Sequence, residues 1–122
     1  MARKVAIIDD DKDVAECIGD VLREKGCGCA IGVFRNGAAF IAACEKEQYR
    51  LVLTDYDMGG MTGAELIEAH RARWSGSAYI IMSGKEENRR HADTLGVPFL
   101  QKPVPIEEIY RYVCADCANN RR

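Results

Sequence analysis

The run Leu51-Val52-Leu53-Thr54-Asp55 constrains this chain more than any other stretch. Apolar and strand-forming residues lead straight into a carboxylate, and Tyr56, Asp57, Met58, Gly59 and Gly60 follow at once. A short apolar run bounded in this way predicts a strand buried on both faces, with its last residue at the carboxyl edge of a sheet. Ligands of open α/β sheets bind at that edge. A single Asp there is a nucleophile, a metal ligand or, most often, a loop cap, so its meaning depends on what the other strands bring to the same edge.

Lys4 to Asp9 is a second short apolar run ending in acid, with Asp10 and Asp11 just past it. Asp11 or Asp13 is placed to cap the next helix, in which Val14, Cys17, Ile18, Val21 and Leu22 recur at helical spacing before Gly26. Cys29 to Phe34 predicts a strand weakened by Gly32, and a turn at Asn36-Gly37 leads into a helix with Phe40, Ile41, Ala43 and Cys44 on one face. Thr62 to Glu65 has the form of a capping box opening a helix through Leu66, Ile67 and His70. Ala78 to Met82 is the fourth strand and ends at Ser83-Gly84. The helix after it, from Glu86 to Leu95, offers Ala92 and Leu95 as its apolar contacts and is expected to be the least firmly held element. Gly96 to Leu100 is a fifth strand ahead of Gln101-Lys102-Pro103, and a last helix begins at Pro105 with Ile106, Ile109, Tyr110 and Val113 inward. Asn119 to Arg122 are expected to fray.

Strand and helix thus alternate five times in 122 residues. Each parallel connection needs a crossover, so the pattern predicts an α/β fold with a five-stranded parallel sheet and helices on both faces. The length suits one domain over residues 1–122, with a core over about residues 4–117 and no output domain. No apolar run approaches the roughly 20 residues needed to cross a bilayer, and the few apolar residues after Met1-Ala2-Arg3-Lys4 are too short for a signal peptide, so a cytoplasmic location without a membrane partner is expected. A net charge of −2 with scattered arginines gives no reason to expect direct nucleic-acid binding. The six cysteines are expected to act as reduced, small apolar residues. A thiolate zinc site drawing on Cys27 or Cys29 with Cys114 and Cys117, where the first and fifth helices end together, is the less favoured alternative. His70 and His91 have no partner cluster and are expected at the surface.

The carboxyl ends of four strands carry Asp9 and Asp10, Asp55, Ser83 and Lys102. All would meet at one edge of the sheet. Three neighbouring carboxylates repel one another unless a cation sits among them, and hard oxygen ligands with room for water suit Mg²⁺. A lysine and a hydroxyl beside such a metal suit the equatorial oxygens of a phosphoryl group, with a carboxylate as nucleophile. Taken singly, Asp9 to Asp11 read as a helix-capping run and Lys102 as a surface lysine; their joint placement on four strand ends is what points to chemistry.

From about Lys4 to Cys117 the chain resembles the receiver domain of two-component response regulators, and is similar in size to the single-domain chemotaxis type. The resemblance implies a flavodoxin-like, doubly wound (βα)5 fold with Asp55 as phosphoacceptor. It further implies that Asp10 ligates Mg²⁺ directly, Asp9 assists through water, and the backbone carbonyl of Asp57 supplies another ligand. Ser83 would be the hydroxyl that moves onto the phosphoryl group, Lys102 the ammonium contacting it, and Phe99 an aromatic switch whose rotamer follows. The Lys102-Pro103 bond would be cis. Asp57 and Lys85 would tune the phosphoryl lifetime, their opposite charges pairing across the site. The implied partners are a histidine kinase or histidine phosphotransfer protein and a downstream protein target reached by binding or onward relay. Gly59 stands where the family usually has proline and Gly84 where it has a slightly larger residue, so both loops are expected to be looser.

Two other functions compete. Asp55-Tyr56-Asp57 has the Asp-x-Asp pattern of small haloacid-dehalogenase phosphatases, but that family places it after the first strand and needs a cap or a longer chain. A receiver-like domain that is never phosphorylated and serves only for interaction is the other, and the intact acceptor, acids and lysine argue against it.

Overall fold

The computed structural model describes residues 3–26 and 28–119, with side chains to Cys114. In chain order the elements are β1 (Lys4–Ile8), α1 (Lys12–Glu24), β2 (Ala30–Phe34), α2 (Gly37–Cys44), β3 (Leu51–Asp55), α3 (Gly63–Arg73), β4 (Ala78–Ser83), a 3₁₀ turn (Glu86–Asn88), α4 (Arg89–Leu95), β5 (Phe99–Gln101) and α5 (Ile106–Asn119). The strands form one parallel sheet in the order β2-β1-β3-β4-β5. β2 pairs with β1 along its whole length despite Gly32.

The central strands are apolar throughout because both of their faces are covered. Ala6, Ile8, Val52, Tyr79 and Ile81 pack with Phe40 and Cys44 of α2, Leu66 and Ile67 of α3 and Ala92 of α4. The alternate residues Val5, Ile7, Leu51, Leu53, Ile80 and Met82 pack on the other face with Ala15, Ile18 and Leu22 of α1 and Ile109 and Val113 of α5. Each fully buried Leu or Ile contributes about 1.5–3 kcal/mol. That burial is what holds strands whose ends carry buried acids.

Local chemistry sets the helix starts. Asp11 caps α1 by accepting from the Asp13 and Val14 amides, Asn36 caps α2, and Thr62 with Glu65 forms the full capping box of α3. α4 ends at Gly96, whose φ of +72° is a left-handed cap that other residues rarely adopt.

Several expectations need correction. The buried stripe of α1 is Ala15, Ile18, Gly19 and Leu22, while Cys17 is exposed and Val21 only half-buried. The helix is turned so that Gly19 lies against Ile31 and Val33 of β2. The expected helix from Glu86 to Leu95 is a 3₁₀ turn followed by a short α-helix. His70 is not on the surface: it is 2% exposed, stacked with Phe40 and in tilted contact with Trp74, and its Nδ1 lies 2.6 Å from the Tyr79 hydroxyl. Burial lowers its pKa. His91 is half-buried and stacks on Tyr56, with centroids 4.9 Å apart. Cys29 and Cys114 are half-buried thiols and Cys44 is buried, its pKa pushed up to about 11 chiefly by burial. Cys27, the side chain of Cys117 and the chain end at 120–122 lie outside the described residues, and with them the thiolate-site and fraying expectations. Among the described residues no helix is long and apolar enough to cross a membrane.

Candidate functional site

Parallel strands in register end at one edge, so residues far apart in the chain meet there. The Asp9 amide continues the sheet by donating to Phe34 O at 3.0 Å, the Tyr56 amide donates to Met82 O at 2.8 Å, and the Lys102 amide donates to Ser83 O at 2.7 Å. These bonds carry the ladder just past each strand and fix where Asp9, Asp55, Ser83 and Lys102 stand. The Lys102-Pro103 bond is cis.

Asp9, Asp55 and Ser83 are buried and Asp10 is exposed. One oxygen from each of Asp9, Asp10 and Asp55 lies within 4.8 Å of the others. Lys102 reaches into the group, its Nζ 2.8 Å from Asp9 Oδ2 and 3.1 Å from Asp55 Oδ1. One ammonium faces three carboxylates, and the remaining negative charge with its hard oxygen donors fits a small divalent cation such as Mg²⁺. The Asp55 pKa is pushed up to about 6 by burial first and by the Asp9 charge second, with Lys102 opposing and Asp10 adding to the rise. Burial works against the charge of Lys102, but its hydrogen bond to Asp9 and the charges of Asp55 and Asp9 prevail and its pKa is raised.

The Asp55 backbone is held tightly. Thr54 Oγ1 donates to Asp55 O at 2.9 Å, and the Gly63 amide donates to Tyr56 O at 2.8 Å, which brings α3 onto the end of β3. A Cβ on Gly63 would meet Asp55 O at 2.5 Å, so only glycine lets the helix approach this closely. The loop after Asp55 is anchored by the buried Met58, and a Cβ on Gly59 would meet nothing within 4 Å.

Ser83 Oγ accepts from the Lys85 amide at 3.0 Å and from Asn88 Nδ2 at 2.9 Å. Asp57 and Lys85 are both exposed, and no ion pair joins them among the described residues. Asp57 Oδ2 instead accepts from Asn88 Nδ2 at 3.4 Å, so the expected pairing across the site is replaced by an amide contact. Phe99 is buried, with the Arg89 guanidinium 4.7 Å from its ring centroid. The structure therefore groups Asp9, Asp10, Asp55 and Lys102, sets Ser83 at the next strand end, and leaves Lys85 outside the carboxylate group. Asn88 had no signal in the sequence, where it falls inside the helix expected from Glu86 to Leu95.

A family model described as the response regulator receiver domain matches residues 5–113. The response regulator receiver protein Anae109_2439 of Anaeromyxobacter sp. is 33% identical over 112 residues, covering 88% of this chain and 45% of its own length. The transcriptional regulatory protein FixJ of Azorhizobium caulinodans is 30% identical over 102 residues, covering 81% of this chain and 47% of its own. The chain thus spans about half the length of these curated relatives. Among solved structures, the receiver domain of Francisella response regulator 1452 superposes with a TM-score of 0.84 at 25% identity, covering 97% of this chain and 98% of that one. A CheY-like receiver domain protein from Methanospirillum hungatei shares the fold, with a TM-score of 0.82 at 22% identity over 98% of this chain and 99% of that one. A match over residues 5–113 takes in β1 through most of α5, and the chain belongs to the response regulator receiver domain family of two-component signalling.

Proposed function

We propose that this receiver domain takes a phosphoryl group onto Asp55 from a phosphohistidine on a histidine kinase or histidine phosphotransfer protein, in the cytoplasm and with Mg²⁺. The observation that carries the reading is the contact of Lys102 Nζ with both Asp9 and Asp55. An ammonium placed there binds the carboxylate before reaction and an equatorial phosphoryl oxygen during it.

An Asp55 carboxylate oxygen attacks phosphorus, the P–N bond of the donor breaks, and its electron pair stays on the imidazole. Asp10, Asp55 and the Asp57 carbonyl would hold Mg²⁺, with Asp9 acting through water, and the ion would neutralise charge growing on the phosphoryl oxygens. Lys102 neutralises a further share, and Ser83 donates its hydroxyl proton to another oxygen. Loss of the group is attack by water on phosphorus, returning the carboxylate and inorganic phosphate. Asp57 and Lys85 flank the approach and tune that loss, and Phe99 follows Ser83 as the switch. The phosphorylated surface then acts on a downstream protein, or passes the group on. Family membership sets aside the haloacid-dehalogenase reading.

Intact-mass spectrometry after incubation with acetyl phosphate and Mg²⁺ tests the assignment. One acid-labile phosphoryl adduct is expected on the wild type and none on Asp55→Asn; equal labelling of both would overturn it.

A further inference from the structure

Asn88 has no role in the reading above, yet its side chain is buried. It closes the 3₁₀ turn and stands at the N-cap of α4, where an asparagine ordinarily accepts from the helix amides. No such cap bond forms. Its Nδ2 is turned inward and spans two acceptors, Ser83 Oγ at 2.9 Å and Asp57 Oδ2 at 3.4 Å.

The Lys85 amide also donates to Ser83 Oγ, at 3.0 Å. Two donors occupy both lone pairs of the hydroxyl oxygen, which leaves its proton as the group Ser83 has to give. Under the proposed function, rotating that hydroxyl toward a phosphoryl oxygen on Asp55 breaks the Asn88 bond. A buried amide left without its acceptor is costly, and the Asp57 carboxylate, at 3.4 Å, is already within a short movement of it.

We propose that Asn88 is the positioning residue that ties phosphoryl occupancy of Asp55 to the first turn of α4, by exchanging its hydrogen bond to Ser83 for a closer one to Asp57. The inference rests on Asp55 being the phosphoacceptor. Asn88 is joined directly to Arg89, which lies over the Phe99 ring and is paired with Glu86 across the 3₁₀ turn. A shift of Asn88 toward Asp57 therefore moves both the turn and the cation that covers Phe99 on β5.

The test is ¹⁵N NMR of the full chain with beryllofluoride and Mg²⁺ as the phosphoryl mimic. In the wild type, the amides of Asp55 and Lys102, the Asn88 side-chain amide and the backbone amides of residues 86–91 should all shift. Ser83→Ala should place the Asn88 side-chain amide near its mimic-bound position before the mimic is added. Asn88→Asp, nearly isosteric but without the donor, and Asn88→Ala should keep the response at Asp55 and Lys102. In both, the equilibrium constant for the shifted state of residues 86–91 should fall roughly fivefold, as expected for one net hydrogen bond. Full response of residues 86–91 in both Asn88 variants, with Asp55 responding, overturns the role of Asn88 alone. A wild type whose Asp55 amide ignores the mimic overturns the phosphoacceptor reading and this inference with it.

Discussion

The first residue of α3, Gly63, lies directly on the backbone of Asp55, so that a Cβ at position 63 would stand 2.5 Å from the Asp55 carbonyl oxygen. The neighbour is main chain already fixed by Thr54 and cannot give way as a side-chain tip can. Gly63→Ala should therefore cost about 1–3 kcal/mol in urea unfolding, the range for overpacking, and slow labelling of Asp55. Gly59→Ala, where a Cβ meets nothing within 4 Å, is the control and should stay within about 0.5 kcal/mol. Equal unfolding midpoints for the two variants would refute the close approach.

Asp55 should make the metal-free protein less stable as pH rises. Its folded pKa of about 6 lies above the ordinary 3.8. Below both values it is neutral whether folded or not, and between them only the folded form holds the proton. Above both it is charged in each state, and the preference for the folded form is gone. The contribution is therefore full in acid and lost as pH climbs through about 6, a loss of about 3 kcal/mol. Asp55→Asn should remove this component, giving a higher unfolding midpoint than the wild type at pH 8 in chelator and a smaller advantage at pH 4. Parallel pH profiles for the two proteins would contradict it.

Mg²⁺ should recover much of that stability by occupying the acid group. Thermal midpoints of the wild type should rise with Mg²⁺ concentration, by roughly 2.7 kcal/mol when the ion is at a hundred times its dissociation constant. Asp10→Ala should flatten the titration. Because Asp10 is exposed, the variant should unfold near the wild-type temperature when chelator is present.

His70 acts in the opposite sense to Asp55. Burial lowers its folded pKa, so its contribution is present above the ordinary value near 6.5 and is lost as pH falls from there toward the folded value. His70→Leu should flatten the acid side of the stability profile. It should also leave the Tyr79 hydroxyl short of a partner, costing about 1–3 kcal/mol, and adding Tyr79→Phe should restore part of this. Strict additivity of the two changes would argue against the bond.

The phosphoryl lifetime should depend on Asp57 more than on Lys85, because Asp57 is held by Asn88 whereas Lys85 has no ion pair with it. Timed hydrolysis should show faster loss for Asp57→Ala than for Lys85→Ala, and the fastest for the double change. A double variant with the wild-type half-life would remove both from the list of tuning residues.

The meeting of Asp9, Asp55, Ser83 and Lys102 was legible because each ends a strand or directly follows one, and parallel strands all end on one edge; their order along the chain was enough. The Thr62 and Glu65 cap was legible for a similar reason, since its partners are fixed by local spacing. What escaped depends on partners brought across space. His70 needs Tyr79 from β4 to tolerate burial, α1 takes its rotation from Ile31 and Val33, and Asn88 is one more polar helix residue until Ser83 and Asp57 are set beside it. The helix over 86–95 was blurred because its inward-turned asparagine replaces the cap that would have marked a clean start.

The strand order mounts the parts of one site on supports of unequal durability. β3, which carries Asp55, is the middle strand and is paired on both sides, whereas Lys102 follows a three-residue strand at the margin of the sheet, bonded to β4 alone. Openings that peel away the margin while leaving the middle intact cost less than global unfolding. On gentle warming the contact of Lys102 with Asp9 and Asp55 should therefore be lost while the circular dichroism is still that of a folded protein.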